Sequence, residues 1–282
     1  SGREFMLRRW NSDQTPGPII ERQSHNANSF VFSPDGTQLA GILGSRPQSV
    51  GLLNVGGSAI MKSLGSASYI REIIWNPRGD RIASVGFDNL LRVWTLDGKA
   101  EVILNSDQHI GSVDWKPDGT QIACGCVDGR IQLCRLDGRE SLLLEGHQEY
   151  VTQVRWSGDG RMIASGDNGS IVRLWTEFGR SVATFAGHTG TIMELAWRPH
   201  SHRLISTGRD GTIRLWNADT RSMEWVVIVL PGEQSVTLSP QGRILNGDPQ
   251  VIEREFRYIV EKPTGAMEIL KPSEFQKRVH RK

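Results

Sequence analysis

Cysteine is scarce: Cys124, Cys126 and Cys134 are the only three in 282 residues. An odd count without regular spacing excludes a disulfide framework, and three thiols are too few for a cysteine-built zinc site. Charge of one sign is also missing. Thirty-three Lys and Arg against 31 Asp and Glu leave a net +2, too little to draw nucleic acid by itself. The clearest basic cluster, Lys277, Arg278, Arg281 and Lys282, reads as a solvated tail. Long apolar runs are absent, and the longest, Trp225 to Leu230, falls far short of a bilayer span. No charged-then-apolar signal segment opens the chain. Together these lead to the expectation of a soluble protein in a reducing, cytoplasmic compartment. Ser1 to Phe5, ahead of Met6, read as a cloning remnant outside the fold.

What is present is turn chemistry and tryptophan. The chain has 31 Gly and nine Trp, with 38% hydrophobic and 23% charged residues, as in a globular chain. Two ladders of positions repeat along it. One runs Phe32, Trp75, Trp115, Trp156, Trp197, Leu238, and the other Trp10, Leu53, Trp94, Cys134, Trp175, Trp216, Phe256, both in steps of 40 to 43 residues. One shared period in two independent ladders marks a repeat architecture.

Residues 150–187 show the unit. Val151, Val154 and Trp156 alternate in a first strand, Met162 to Ala164 lie in a second, Ile171 to Trp175 in a third and Val182 to Phe185 in a fourth. Turn residues separate them, as short antiparallel strands require. Asp-Gly pairs recur at 35–36, 97–98, 118–119, 128–129, 137–138, 159–160 and 210–211, where tight hairpins need positive φ. A four-stranded unit of this size cannot cover both of its faces alone; radial packing of such sheets covers them. The fold class expected is therefore all-β, a propeller of four-stranded antiparallel blades.

Gly146-His147, Gly187-His188, the Asp-Gly turns and the Leu-Trp pairs at 174–175 and 215–216 resemble WD40 repeats over residues 6–271. The resemblance implies a buried Asp–His–Ser–Trp network within a blade. One repeat carries all four members, His188, Ser206, Asp210 and Trp216. The preceding repeat has His147, Ser165 and Trp175 but Gly169 in the Asp position, and Cys134 stands where a third repeat would have its Trp. Ser, His and Asp also compose hydrolase triads, but here they recur with the repeat and include the Trp, which favours a structural role.

Six complete units are expected, starting near His25, Ser68, His109, His147, His188 and Gly232, preceded by an orphan pair, Met6 to Trp10 and Pro18 to Arg22. Seven blades are favoured and six are possible. In the last unit, strands are expected at Glu253 to Val260 and Leu270 to Phe275. This block resembles the closing segment of WD-repeat regions in multidomain bacterial signalling proteins. Residues 272–282 read as a basic tail, with Ser273 and Gln276 a capping box for a short helix.

Loops of such a fold carry its recognition. The resemblance places three positions per repeat on the docking face: Tyr69, Arg71, Phe87, His109, Tyr150, Thr152, Met193 and Arg209. Aromatic and Arg side chains are the types that dominate interface energies. No cofactor and no metal site is expected: His200 and His202 lie in a polar turn without further ligands, and Cys124 and Cys126 alternate onto one face as buried thiols. The function expected is a non-catalytic protein-interaction platform, a scaffold or sensor binding a protein, a peptide or a neighbouring effector domain, with no membrane partner. Two alternatives stand beside it: a propeller hydrolase, for which no converging set of carboxylates is apparent, and a weak nucleic-acid binder, which the small net charge disfavours.

Overall fold

The structure is a computed structural model that describes residues 5–10, 16–23, 30–43, 48–55, 62–67, 70–230, 234–256, 258–261 and 267–279. It is built from antiparallel sheets in chain order. A hairpin of β1 (Phe5–Trp10) and β2 (Pro16–Gln23) comes first. The first sheet is β3 (Phe30–Phe32), β4 (Gln38–Leu43), β5 (Gln48–Asn54) and β6 (Lys62–Ala67). The second is β7 (Ile70–Trp75), β8 (Arg81–Gly86), β9 (Leu90–Thr95) and β10 (Ala100–Asn105). The third is β11 (Ile110–Trp115), β12 (Gln121–Cys126), β13 (Ile131–Arg135) and β14 (Leu142–Leu144). The fourth is β15 (Val151–Trp156), β16 (Met162–Asp167), β17 (Val172–Thr176) and β18 (Ser181–Phe185). The fifth begins with β19 (Ile192–Trp197), β20 (Arg203–Gly208), β21 (Thr212–Asn217) and β22 (Ser222–Leu230).

Strand alternation explains why the sheets stack side by side. On β8, Ile82 packs toward the first sheet, while its neighbours Ala83 and Val85 pack toward the third. On β12, Ile122 faces the second sheet and Ala123 the fourth. Each sheet is apolar on both faces, so each must be covered twice. The tryptophans of both ladders plug the space before their own sheet: Trp75 and Trp94 against the first, Trp156 and Trp175 against the third, Trp216 against the fourth. The repeat interval is thus the length of chain needed to bring one residue of each ladder to every interface. The first strands of successive sheets, β7, β11, β15 and β19, lie against one another and form the inner edge.

The expected sixth unit does not form a sheet of its own. β23 (Gln234–Leu238) pairs antiparallel with β22, Val226 opposite Leu238, and β24 (Ile244–Asn246) follows it, so the fifth sheet has six strands. The strand expected over Glu253 to Val260 is instead α1 (Pro249–Glu255) followed by β25 (Tyr258–Glu261). Asp248 is the reason: its carboxylate accepts the Gln250 and Val251 N–H groups at 2.7 and 3.3 Å, and Pro249 fits the first helical position. Val251 and Ile252 then bury one face of the helix. β26 (Met267–Leu270) pairs with β25, and α2 (Pro272–Val279) occupies the stretch read as the fourth strand and tail. At its start Glu274 accepts the Lys271 N–H at 2.7 Å, while Ser273 donates its N–H and hydroxyl to Glu253 of α1; the Gln276 side chain of the expected capping box lies outside the described residues.

Candidate functional site

The candidate recognition residues gather at the end of the sheets where the first strands begin. β7, β11, β15 and β19 share one irregularity, a register shift after their first residue. Such a bulge inserts an extra residue and re-aims its side chain. The inserted residues are Arg71, Gly111, Thr152 and Met193. The loop entering each first strand is tied to the turn joining the second and third strands of its own sheet. Val127 N–H donates to the His109 carbonyl at 3.0 Å, Asn168 N–H to Tyr150 at 2.9 Å and Arg209 N–H to Thr191 at 2.8 Å. One backbone bond in each of the third, fourth and fifth sheets therefore holds their docking positions together.

Glycine at 111 gives this end its particular shape. A Cβ there would overlap the Tyr150 ring and hydroxyl. The Tyr150 ring therefore lies across the third sheet and meets the second, where the Arg71 guanidinium sits 5.5 Å from its centroid. Phe87 meets His109 edge-on at 5.7 Å. Phe87 and Met193 remain half-exposed, and Arg71, His109 and Arg209 are exposed. Thr152 differs, because its hydroxyl donates to the Ile192 and Gly166 carbonyls at 2.6 and 3.1 Å, joining the fourth and fifth sheets. Tyr69 lies outside the described residues.

Below this rim the inner strands carry carboxylates that the sequence reading passed over. Glu72 accepts the Val113 N–H at 3.1 Å and Asp114 accepts the Trp156 N–H at 2.6 Å, each from one sheet to the next. Ser112 accepts the Val154 N–H at 3.3 Å in the same manner. Arg155 lies between Glu194 at 3.5 Å and Glu72 at 4.0 Å. Burial pushes Glu72 up to about 7 and Asp114 up to about 6, against the opposing pull of Arg155 and the accepted N–H groups. First-strand alternation was the signal: these groups occupy the positions one and three residues before the ladder residue. In the structure they serve to cap the free N–H groups of the neighbouring strand.

The buried network of the fifth sheet runs in one direction. Trp216 N–H donates to Ser206 Oγ at 2.8 Å, Ser206 lies 2.7 Å from His188 Nε2, and His188 Nδ1 lies 3.0 Å from Asp210. The carboxylate accepts only, so Nδ1 carries the proton and Ser206 donates to Nε2. Burial raises Asp210, but the Thr189 and Thr212 N–H groups, the Thr212 hydroxyl and His188 outweigh it and hold it at about 2. Burial moves His188 below its ordinary value.

The fourth sheet corrects an expectation. Gly169 does stand in the Asp position, yet the network is complete, because Asp167 lies 2.6 Å from His147 Nδ1. Ser165 lies 2.7 Å from His147 Nε2 and accepts the Trp175 N–H at 2.8 Å. Ser165-Gly-Asp-Asn-Gly169 and Ser206-Thr-Gly-Arg-Asp210 are the same turn with Asp and Gly exchanged. The carboxylates converge because Asp210 reaches back over Gly208, where a Cβ would overlap both His188 and Asp210. Both acids also accept the equivalent backbone group, Ile171 N–H at 2.8 Å and Thr212 N–H at 3.0 Å. Ser165 and Ser206 have no exposed surface, so neither can meet a substrate as a nucleophile.

In the second sheet Trp94 N–H donates to Ser84 at 2.7 Å. In the third, Cys124 and Cys134 replace Ser and Trp, and Ser106 stands in the His position. All three cysteines are buried and free. Burial pushes Cys126 up to about 12. Among the described residues no group of three or more His, Cys, Asp or Glu is placed to hold a metal, and no helix is long and apolar enough to cross a membrane. His202, read as part of a plain surface turn, in fact lies between two carboxylates, Asp219 at 2.7 Å and Asp159 at 3.3 Å.

Comparison with known families agrees with this geometry. The WD40 family model (WD domain, G-beta repeat) matches residues 138–176 and 179–217; each range covers the fourth strand of one sheet (β14, β18) and the first three strands of the next (β15 to β17, β19 to β21). The model described as Eukaryotic translation initiation factor eIF2A matches residues 3–133. The WD repeat and HMG-box DNA-binding protein 1 of Xenopus laevis is 33% identical over 94 residues, which is 33% of this chain and 8% of that protein. The chain thus spans a small part of the relative it resembles. The matched repeats, the antiparallel four-stranded sheets and the WD-repeat relative support a WD40 propeller.

Proposed function

We propose that this chain is a non-catalytic protein–protein interaction platform, a scaffold or sensor that docks a protein, a peptide or a neighbouring effector domain on the rim formed by Arg71, Phe87, His109, Tyr150, Met193 and Arg209. One observation carries the reading: Tyr150 crosses a glycine gap to stack with Arg71 two sheets away. This makes a preformed aromatic and cationic surface on rigid strands. Such anchors bury much area at low conformational cost on binding. WD40 domains are generally non-catalytic interaction modules that bind protein partners. The buried serines and the capped inner carboxylates support the same reading here. Thr152, first grouped with the rim, belongs to the scaffold by its bonds.

The finer parts of the proposal are a seven-bladed ring in which the β1–β2 hairpin supplies the outer half of one blade, a propeller over residues 6–271, a cytoplasmic location and a place within a larger, bacterial-type multidomain signalling protein. The ladder intervals and the likeness of the closing segment support them. The test is affinity capture with wild type and with Tyr150→Ala combined with Arg209→Ala. Loss of the captured partner with an unchanged thermal melt is the expected result. Unchanged capture refutes the rim as the site. Capture of nucleic acid with steep salt dependence would replace the proposal by the nucleic-acid alternative.

A further inference from the structure

At the opposite end of the strands from the rim, the fourth and fifth sheets leave an open cleft of about 780 Å³ between them. It is lined by the β15–β16 turn (Gly158 and Asp159), the β19–β20 turn (Arg198 to His202) and Asp219, over Trp156 and Trp197. The corresponding cleft between the second and third sheets, lined by Asn76 and Gly119, is smaller, at about 330 Å³, and the residues at these gaps show why. The residue after the first-ladder Trp is Asn76 in the second sheet, Lys116 in the third and Ser157 in the fourth. Asn76 reaches the Gly119 carbonyl of the next sheet at 3.4 Å. Lys116 lies 5.6 Å from the Trp156 ring and is held by Glu177 at 2.6 Å and Asp118 at 3.5 Å. Ser157 is too short to cross, and its hydroxyl turns back to Asp159 at 2.6 Å. Trp156 is therefore covered, whereas Trp197 stays half-buried with its ring against the cleft.

The charges on the lining are largely spent. His202 pairs with Asp219 and Asp159, Arg203 with Glu224 at 2.9 Å, and Arg155 with Glu194. Arg198 is the exception: it is exposed, is in no close ion pair among the described residues, and feels a carboxylate only at longer range, that of Glu224, which Arg203 already holds. An exposed guanidinium beside an uncovered indole suits a carboxylate on a short aliphatic stem, with the stem on the ring and the oxygens on the fork. We propose that this cleft binds an acidic peptide segment of a partner, one Glu or Asp side chain entering between the Ser157 and Arg198 turns. A lysine is disfavoured because both carboxylates already hold His202. A phosphodiester chain is disfavoured because its charge sits on the backbone, with no aliphatic stem to lie on the Trp197 ring while the oxygens reach Arg198. The site is separate from the rim, so each can fail without the other.

The probe is a short fluorescein-labelled oligoglutamate, followed by polarisation at low salt on the full chain, with oligolysine and oligothymidylate of equal length as comparators. Oligoglutamate is expected to bind in preference to both. Arg198→Glu, an exposed change, weakens it by about tenfold or more, as loss of a charge-assisted pair requires. Ser157→Lys, which rebuilds the plug of the neighbouring cleft, abolishes binding with the thermal melt retained. The rim pair Tyr150→Ala and Arg209→Ala leaves it unchanged. No oligoglutamate binding, binding insensitive to both cleft variants, or tighter binding of oligothymidylate or oligolysine overturns the proposal.

Discussion

The exchange of Asp and Gly between the turns of the fourth and fifth sheets can be reversed by design. Asp167 and His147 are both buried, and their 2.6 Å contact belongs to a chain that also includes Ser165 and Trp175. Asp167→Ala leaves the His147 Nδ1–H and the Ile171 N–H without their acceptor in a closed interior. An unsatisfied buried donor costs about 1–3 kcal/mol and more where a charged partner is lost, so the expected loss is about 2–4 kcal/mol. For a domain of this size that lowers Tm by roughly 5–12 °C. The compensating variant is Asp167→Gly with Gly169→Asp, which copies the fifth sheet. Gly169 has an ordinary backbone, and a Cβ there would approach only the Glu149 side chain and the Asp167 carboxylate, at 3.2 to 3.6 Å. The double variant should recover more than half of the stability lost by Asp167→Ala, read from urea or thermal unfolding followed by Trp fluorescence. If the swap is as unstable as Asp167→Ala, the two acids do not occupy one site and the reasoning fails. A wild-type melt for Asp167→Ala would show that the bond contributes nothing.

Three other outcomes follow from the same geometry. Trp216→Ala removes a buried indole that stacks on Phe185 at 4.9 Å and donates to Ser206; a loss of about 3–5 kcal/mol is expected from burial and cavity terms, and a melt within error of wild type would refute its place in the network. Glu72 and Asp114 bind protons more tightly folded than unfolded, with folded values of about 7 and 6 against ordinary values of 4.5 and 3.8. Their contribution is thus fully present below the ordinary values and lost as pH rises through about 7. Glu72→Gln keeps an acceptor for Val113, so it should flatten the decline in unfolding free energy, read from urea titrations between pH 5 and pH 8, by at most about 3 kcal/mol. Asp137 and Asp210, held at about 2, act only in acid and leave that window untouched; an unchanged wild-type slope would contradict the assignment. Gly111→Ala should push Tyr150 off Arg71 and abolish partner capture with a small cost in stability; retained capture would separate binding from the Tyr150–Arg71 stack.

The rim and the cleft at the opposite end of the strands answer to different features of the repeat. At the rim, a bulge common to four sheets turns Arg71 and Met193 outward, makes room for Tyr150 at Gly111 and aims Thr152 at the next sheet. At the other end, a single position after the ladder Trp decides whether an inter-sheet gap is bridged. A long side chain such as Lys116 joins neighbouring turns; Ser157 leaves them apart.

Much of this was legible without coordinates. Aromatic plugs at a fixed interval, Asp-Gly turns and alternating strands are local in the chain, so the residues by themselves determined the repeat and the faces of its strands; six complete units were expected and the last merged into the fifth sheet, while the His188–Trp216 network followed from the WD40 resemblance. The closing segment was not legible, because an Asp-Pro step serves equally as a turn or as a helix cap, and Val251, Ile252 and Phe256 satisfy either period until a partner surface chooses. Asp167 was missed because the network was matched by position, whereas carboxylates meet in space: one reaches from a strand and the other over a glycine. Tyr150 against Arg71, Glu72 against Val113 and the gap over Trp197 each join different sheets, and no spacing along the chain encodes a distance across an interface. The repeat decided what each sheet is; only the packing of one sheet on the next decided which side chains meet.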